Sequence, residues 1–519
     1  MITTAGRLAG LFLAVGLGYR LYLTVNIAPP TNSDESTMGL AAMHIAEGRE
    51  LPVFFYGQHY MGTIDAYLAA PLFVAFGPSI VALRLPMLAV YAAFFVTMYL
   101  LTARLYSKPY AVFVSALLAI GSHPVVRGEV FAGGGYPEIK AIGAGLLLLA
   151  VWLGNTTTPA GRRLAGYGAW GLLAGLAVWS DWLIGPYVGA AAAVLVYTCR
   201  RELLGRPGGL LVAGVCVGAL PWILHHVHSG YGESAVAEIL HLSRNGTASI
   251  GAKLYGGILL GVPMGTGLCE GGTCEGWPLA LGAVYPLLLI VAATTAVVGF
   301  RRAAARPEQV RHAGRLALVL AAAVSLLVYT ASEPAGLTPT TSVRYLTPLL
   351  ISLPAVWWPL WRAAARLRSR FLPVTAAAVL GVHVLAMVYA TAEFVGDVPA
   401  SRTAARDEHA LLARLDELGV TRAYSEYWTC NRITFASRER VVCAVLSDDL
   451  RPGHDRYLPY RDLVAAASDP AYVLPIGSTV ERAFTERLRA AGGSAVVDEV
   501  AGYRIYRPSV RLHTFFTTG

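Results

Sequence analysis

The sequence predicts an α-helical polytopic membrane protein carrying a small α/β domain at its C-terminal end. Three observations predict it. Of 519 residues 55% are hydrophobic and only 14% charged, long apolar runs recur as far as residue 392, and Lys/Arg collect in alternate loops. A large soluble enzyme carries roughly a quarter charged residues, so this balance belongs to a chain solvated by lipid.

Apolar runs of roughly 17–25 residues bounded by charge or turn residues mark spans. About eleven are predicted, at 8–26, 82–103, 109–123, 139–155, 164–180, 183–198, 208–227, 278–299, 316–331, 347–361 and 371–392. The first is too long for a signal-peptide core and reads as a retained anchor. Asp181, between Trp179 and Trp182 and close to Pro186, marks a hairpin tip between two spans.

With the N-terminus inside, the inner loops collect Arg7, Arg104, Lys108, Arg162, Arg163, Arg200, Arg201, Arg206, Arg301, Arg302, Arg306, Arg311, Arg315, Arg362, Arg366, Arg368 and Arg370, against only Glu202 and Glu308. Basic residues on the cytoplasmic side follow the positive-inside rule. The net charge of +9 is therefore a topology signal, not a nucleic-acid footprint. An odd number of spans puts the C-terminal tail outside. Cys269, Cys274, Cys430 and Cys443 all fall on that oxidising side as two close pairs that could bridge, leaving Cys199 and Cys216 free.

Residues 1–393 form the membrane domain and 394–519 the tail. In the tail, helical patterns ("RDEHALLARLDELG", "STVERAFTERLRAAGG") alternate with β-like runs ("RAYSEYW", "ERVVCAVL", "AYVLPI", "GYRIYRP"). That alternation predicts a small α/β domain. It contains no phosphate loop, metal-ligand spacing or nucleophile elbow, which directs the search for chemistry to the membrane domain.

The outer loops hold the unusual residues. The first, about 27–81, is far too long for a connector and opens on the adjacent acids Asp34 and Glu35. Ser36–Glu47 is predicted as a helix with Met38, Ala42 and Ile45 on one face, lying at the bilayer interface and ending at Gly48. The glycine-broken stretch that follows carries Gln58, His59, Tyr60 and Asp65 and reads as a second interfacial or re-entrant element. The second loop, "HPVVRGEVFAGGGYPEIK", supplies Arg127, Glu129, Tyr136, Glu138 and Lys140, with a glycine run that lets its backbone approach another group closely. The fourth carries Glu233, Glu238, His241 and the sequon at Asn245; the fifth places Arg344 at the lip of a span.

Transfer of a sugar from a polyprenyl-phosphate carrier would use such groups. The phosphate leaves readily, the attacking hydroxyl needs a base, and a poorly solvated groove needs a lasting cation, which Arg supplies.

The stretches "SDESTMGLAAMHIAEG", "FFYGQHYMGTIDAYLAAPLFVAFGPSIVALRLP", "GGGYPEIK" and "SVRYLTPL" resemble bacterial members of the GT-C glycosyltransferase superfamily, near its protein O-mannosyltransferase-like and aminoarabinose-transferase-like branches. The tail's "LDELGVTRAYSEYWTCNRITFASRERV" is similar to the outer domain of some bacterial members. The resemblance implies an inverting, membrane-bound transferase that draws on a polyprenyl-phosphate-linked sugar at the outer face. It further implies Asp34 as the base with Glu35 beside it. The family pattern often has Glu where Asp65 stands, and Tyr-Asn where Leu224-His225-His226 stands.

Each assignment has a plain structural counterpart. Asp34 and Glu35 could simply cap a helix, Asp65 could pair with Arg84 or His59, Glu138 could balance Lys140, and Arg344 could anchor a helix end. Gln58, His59, Tyr60 and Tyr136 are candidates for the sugar or acceptor pocket, and Arg127, Lys140 and Arg344 for the phosphate. His225, His226 and His228 read as a wet helix end before a metal site. No cofactor is required by this scheme, although Asp34, Glu35 and Glu138 could hold Mg²⁺ or Mn²⁺. The partners are the lipid-linked sugar, a hydroxyl acceptor in the cell envelope and the bilayer. Two alternatives stand beside this reading: a secondary transporter, against which charges placed almost wholly in loops argue, and a membrane-anchored sensor or assembly protein built on the tail, against which the elaborate first loop argues.

Overall fold

The computed structural model describes residues 3–155, 159–229, 247–270, 272, 274–365 and 371–510. Glu233, Glu238, His241, Asn245, Arg366, Arg368 and Arg370 lie outside the described residues.

Helix α1 (Thr4–Val25) starts where the Thr3 hydroxyl accepts from the Gly6 amide, and Leu11, Val15 and Val25 stay exposed along it. A helix apolar all round needs lipid outside or protein on every side. The following elements are α2 (Ser33–Ala46), α3 (Ile64–Phe76), α4 (Ile80–Leu105), α5 (Lys108–Ala119), α6 (His123–Val130) and α7 (Tyr136–Leu153). With the later helices, α4, α5 and α7 share one core around Phe94, Phe95, Tyr110, Leu146, Tyr187 and Leu318. Helices Ala160–Ser180 and Arg206–Gly218 approach backbone to backbone. A Cβ added at Gly171 would sit 2.1 Å from the Leu211 carbonyl oxygen, and one at Gly214 2.4 Å from that of Gly168. Small residues at such crossings are the usual adhesive between helices in lipid.

Among the described residues seven helices are long and apolar enough to cross a membrane, or up to nine if two bent pairs each count as one span. Eleven were expected. The predicted span 109–123 is α5 and α6, which meet at 88°, and 208–227 is likewise bent, by 62°. The stretch 347–361 begins as a 3-10 segment, Val343–Ser352, before Leu353–Ala364 turns α-helical. Pro348 removes an amide donor inside it.

The first outer loop also departs from expectation. Helix α2 begins at Ser33 because Asn32 accepts from the Glu35 amide at 3.0 Å. It is enclosed by protein and does not lie on a bilayer surface: Met38, Leu40, Ala42 and Met43 are all buried. Its cover is α3 and the tail helix Tyr427–Ala436, whose Phe435 ring stacks on Phe73 at 6.0 Å.

The tail forms a five-stranded sheet: β1 (Arg422–Ser425), β2 (Val442–Val445), β3 (Ala471–Pro475), β4 (Ala495–Val500) and β5 (Tyr503–Pro508), in order β2-β1-β3-β5-β4. β1 is parallel to β2 and β3; β5 is antiparallel to β3 and β4. "RAYSEYW", read as one strand, is strand only to Ser425 and turns into a helix at Tyr427, where Glu426 accepts from the Trp428 amide. Both predicted disulfides, Cys269–Cys274 and Cys430–Cys443, are formed; Cys199 and Cys216 are free.

Candidate active site

Successive helical residues project about 100° apart, so the acidic pair at the start of α2 splits. Glu35 turns inward. It is fully buried and takes a two-pronged contact from Arg84 of α4, Nε to Oε1 at 2.7 Å and Nη2 to Oε2 at 2.6 Å, while the Ala132 amide donates to Oε1 at 3.3 Å. Arg84, expected as a partner for Asp65, is thus occupied by Glu35. Asp34 turns outward and is only partly covered. Its Oδ1 accepts from the Tyr427 hydroxyl and, at 3.2 Å, from Arg456 Nη2; Arg456 Nε also donates to the Tyr427 oxygen at 2.7 Å. Asp34 Oδ2 accepts no hydrogen bond from the described residues.

Both contacts come from the tail, which the absence of known motifs had directed attention away from. Neither Tyr427 nor Arg456 was legible in advance, because nothing local in the sequence marks a residue 393 or 422 positions from its partner.

Two cations stand near this carboxylate. Arg127 of α6 lies over the Phe131 ring at 4.5 Å, and Arg344 lies between the Tyr136 and Tyr345 rings at 5.9 and 5.6 Å. Both are within electrostatic range of Asp34. Arg344 is solvent-exposed and Arg127 part-exposed, and neither forms an ion pair among the described residues. The Tyr136 hydroxyl beside it holds the Arg344 guanidinium above its ordinary value. Lys140 is elsewhere. Its Nζ donates to the Gly128 carbonyl at 2.7 Å and faces Glu129 at 3.9 Å, in a buried knot with Arg20, whose Nε donates to Glu129 at 2.8 Å.

Beneath the glycine run lie three buried acids, Asp65, Glu138 and Asp181. Asp65 Oδ2 accepts from the Gly134 amide at 3.1 Å, Glu138 Oε1 from the Ser180 hydroxyl at 2.9 Å, and Asp181 Oδ1 from the Leu183 amide at 2.8 Å. Gly134 and Gly135 have φ of +88° and +79°, and a Cβ on Gly135 would come within 2.9 Å of Asp181. The glycines therefore accommodate the protein's own side chains. Burial first, then the adjacent Glu138 carboxyl, hold Asp65 well above the usual carboxylate range; burial pushes Asp181 up to about 7.

Gln58 ends a turn in which its amide donates to the Phe55 carbonyl at 2.9 Å. The His59 ring packs on Phe54 and on His225 of helix Leu220–Ser229, at 6.3 and 5.7 Å, and Tyr60 lies in electrostatic range of Tyr136. His226 stacks on Trp222 at 4.0 Å, and His228 bonds the Leu224 carbonyl at 2.7 Å. Among the described residues no group of three His, Cys, Asp or Glu side chains is arranged to hold a metal ion.

No family model matches the sequence, and no curated protein matches it. In three dimensions the chain is similar to the aminoarabinose transferase ArnT from Cupriavidus metallidurans bound to undecaprenyl phosphate, at 12% identity and a TM-score of 0.65 over 99% of each chain. The apo state of that protein gives 13% identity and a TM-score of 0.63, over 98% of this chain and 99% of that one. Similarity extends to the archaeal oligosaccharyltransferase AglB from Archaeoglobus fulgidus, in complex with an inhibitory peptide and a dolichol-phosphate. There identity is 12% and the TM-score 0.50, over 98% of this chain and 75% of that one. Both are GT-C superfamily members, and the fold of this chain is the GT-C fold.

Proposed function

We propose that this chain transfers a sugar from a polyprenyl-phosphate carrier to a hydroxyl acceptor at the outer face of the cytoplasmic membrane, with inversion. One observation carries the reading: Asp34, part-exposed with one oxygen unengaged, stands near the two unpaired arginines Arg127 and Arg344 in a chain of GT-C fold. Asp34 would remove the acceptor's proton as its oxygen attacks the anomeric carbon. The bond from that carbon to the phosphate oxygen breaks, and its electron pair stays on the phosphate. Arg127 and Arg344 would meet that charge.

Glu35 serves in this scheme as a support that fixes α2 through Arg84. Tyr136, Gln58, His59 and Tyr60 line the sugar or acceptor side, Asp65 and Glu138 hold the glycine loop beneath it, and Lys140 acts through the α6–α7 packing. No divalent ion is required. The basic inner loops support a cytoplasmic N-terminus and an external tail.

The test is Asp34→Asn in membranes supplied with radiolabelled polyprenyl-phosphate sugar. Transfer is expected to fall by about 10²–10⁴-fold. Full activity would refute the base, and sugar flux across sealed vesicles without transfer would favour a transporter.

A further inference from the structure

The tail is joined to the first outer loop by a broad contact, and that contact aims two tail side chains at the candidate base. The Gly39 position of α2 abuts Phe435 so closely that a Cβ there would lie 2.6 Å from its ring. Around it, His44 Nε2 meets Glu439 at 3.1 Å, Arg49 pairs with the same carboxylate, and Tyr457 donates to Glu50. Arg456 is itself wedged in this contact. Its guanidinium lies over the Phe55 ring at 5.0 Å and its backbone is 3.3 Å from where a Gly57 Cβ would be. The Arg456 side chain is 10% exposed and Asp34 19%, so this is not a loose surface pair. Arg456 Nη1 is buried without a hydrogen-bond partner.

We propose that Tyr427 and Arg456 of the tail are positioning residues of the reaction centre, fixing Asp34 through Oδ1 so that Oδ2 is directed at the acceptor hydroxyl. The proposal rests on the reading of Asp34 as the base. Two donors on one oxygen restrict the carboxylate's rotation. Activity then depends on the docked tail, although the tail contributes no group that reacts. The charged and titratable groups facing Asp34 are Tyr427, His454 and Arg456 from the tail, and Arg127 and Arg344 from the membrane domain.

The experiment compares Arg456→Met, Arg456→Lys, Tyr427→Phe and Asp34→Asn in the full-length chain in native membranes. Arg456→Met is expected to lower kcat by roughly tenfold with little change in KM for the lipid donor. Arg456→Lys should restore part of the lost kcat, since it returns a charged donor to Asp34. Tyr427→Phe, which removes one oxygen, should lower kcat alone and covers the case in which Arg456→Met fails to fold. Unchanged kcat in Arg456→Met and Tyr427→Phe, with Asp34→Asn inactive, would overturn this inference and leave the base intact. Full activity of Asp34→Asn would overturn both.

Discussion

Glu35 and Arg84 are each fully buried, and their charges are met almost wholly by one another. Removing one leaves the other uncompensated in a buried site, which costs about 3–5 kcal/mol. Glu35→Gln and Arg84→Met are therefore each expected to lower the melting temperature of the detergent-solubilised protein markedly. The double variant should lose less than the sum. Asp181 obeys a different rule. Its folded value of about 7 lies above the ordinary 3.8, so the folded form binds its proton more tightly. That stabilisation is complete below about pH 4 and is lost as pH rises through about 7. Thermal stability should thus decline between about pH 4 and 7 more steeply in the native chain than in Asp181→Asn. At Arg344, replacement by Ala should raise KM for the lipid donor, and Lys should restore it only in part because it lacks the planar fork. At this scale the acids were legible, since carboxylates beside a span are rare. Their partners were not, because Arg84 and Arg456 stand 49 and 422 positions away along the chain.

Among the elements, the long apolar helices were read closely, since α1, α4 and α7 have lengths and boundaries that composition alone dictates. Errors fell where neighbours override local pattern. The mixed faces of α2 suit a membrane surface by sequence, but a tail helix more than 380 residues away covers them. The stretch 347–361 is apolar enough to span, yet its prolines at 348, 354 and 359 interrupt the amide ladder. A consequence can be measured on the covered face. Phe435 fills the space over Gly39 and stacks on Phe73, so Phe435→Ala should open a cavity costing about 3 kcal/mol or more. The expected readout is faster cleavage by added protease in the tail, with the membrane helices unaffected.

For the whole molecule, fold class came from sums over many residues, which tolerate local mistakes. Eleven expected spans against seven to nine among the described residues leaves the polytopic class unchanged. Ser468 is exposed on the tail, and the two free cysteines, Cys199 and Cys216, belong to helices of the membrane domain. In intact cells Ser468→Cys should react with a membrane-impermeant maleimide added outside. Labelling only after lysis would reverse the orientation.

The Cys430–Cys443 bridge ties the helix that carries Tyr427 to strand β2, and this bears on biogenesis. Asp34 leaves the ribosome 393 and 422 residues ahead of its two tail contacts. On the proposed orientation, a nascent chain already inserted in the bilayer thus holds its acid without Tyr427 or Arg456 until the tail has been exported and oxidised. Maturation would then act as a timer: in a pulse-chase experiment, transfer activity should appear together with the oxidised form of Cys430 and Cys443, not with membrane insertion.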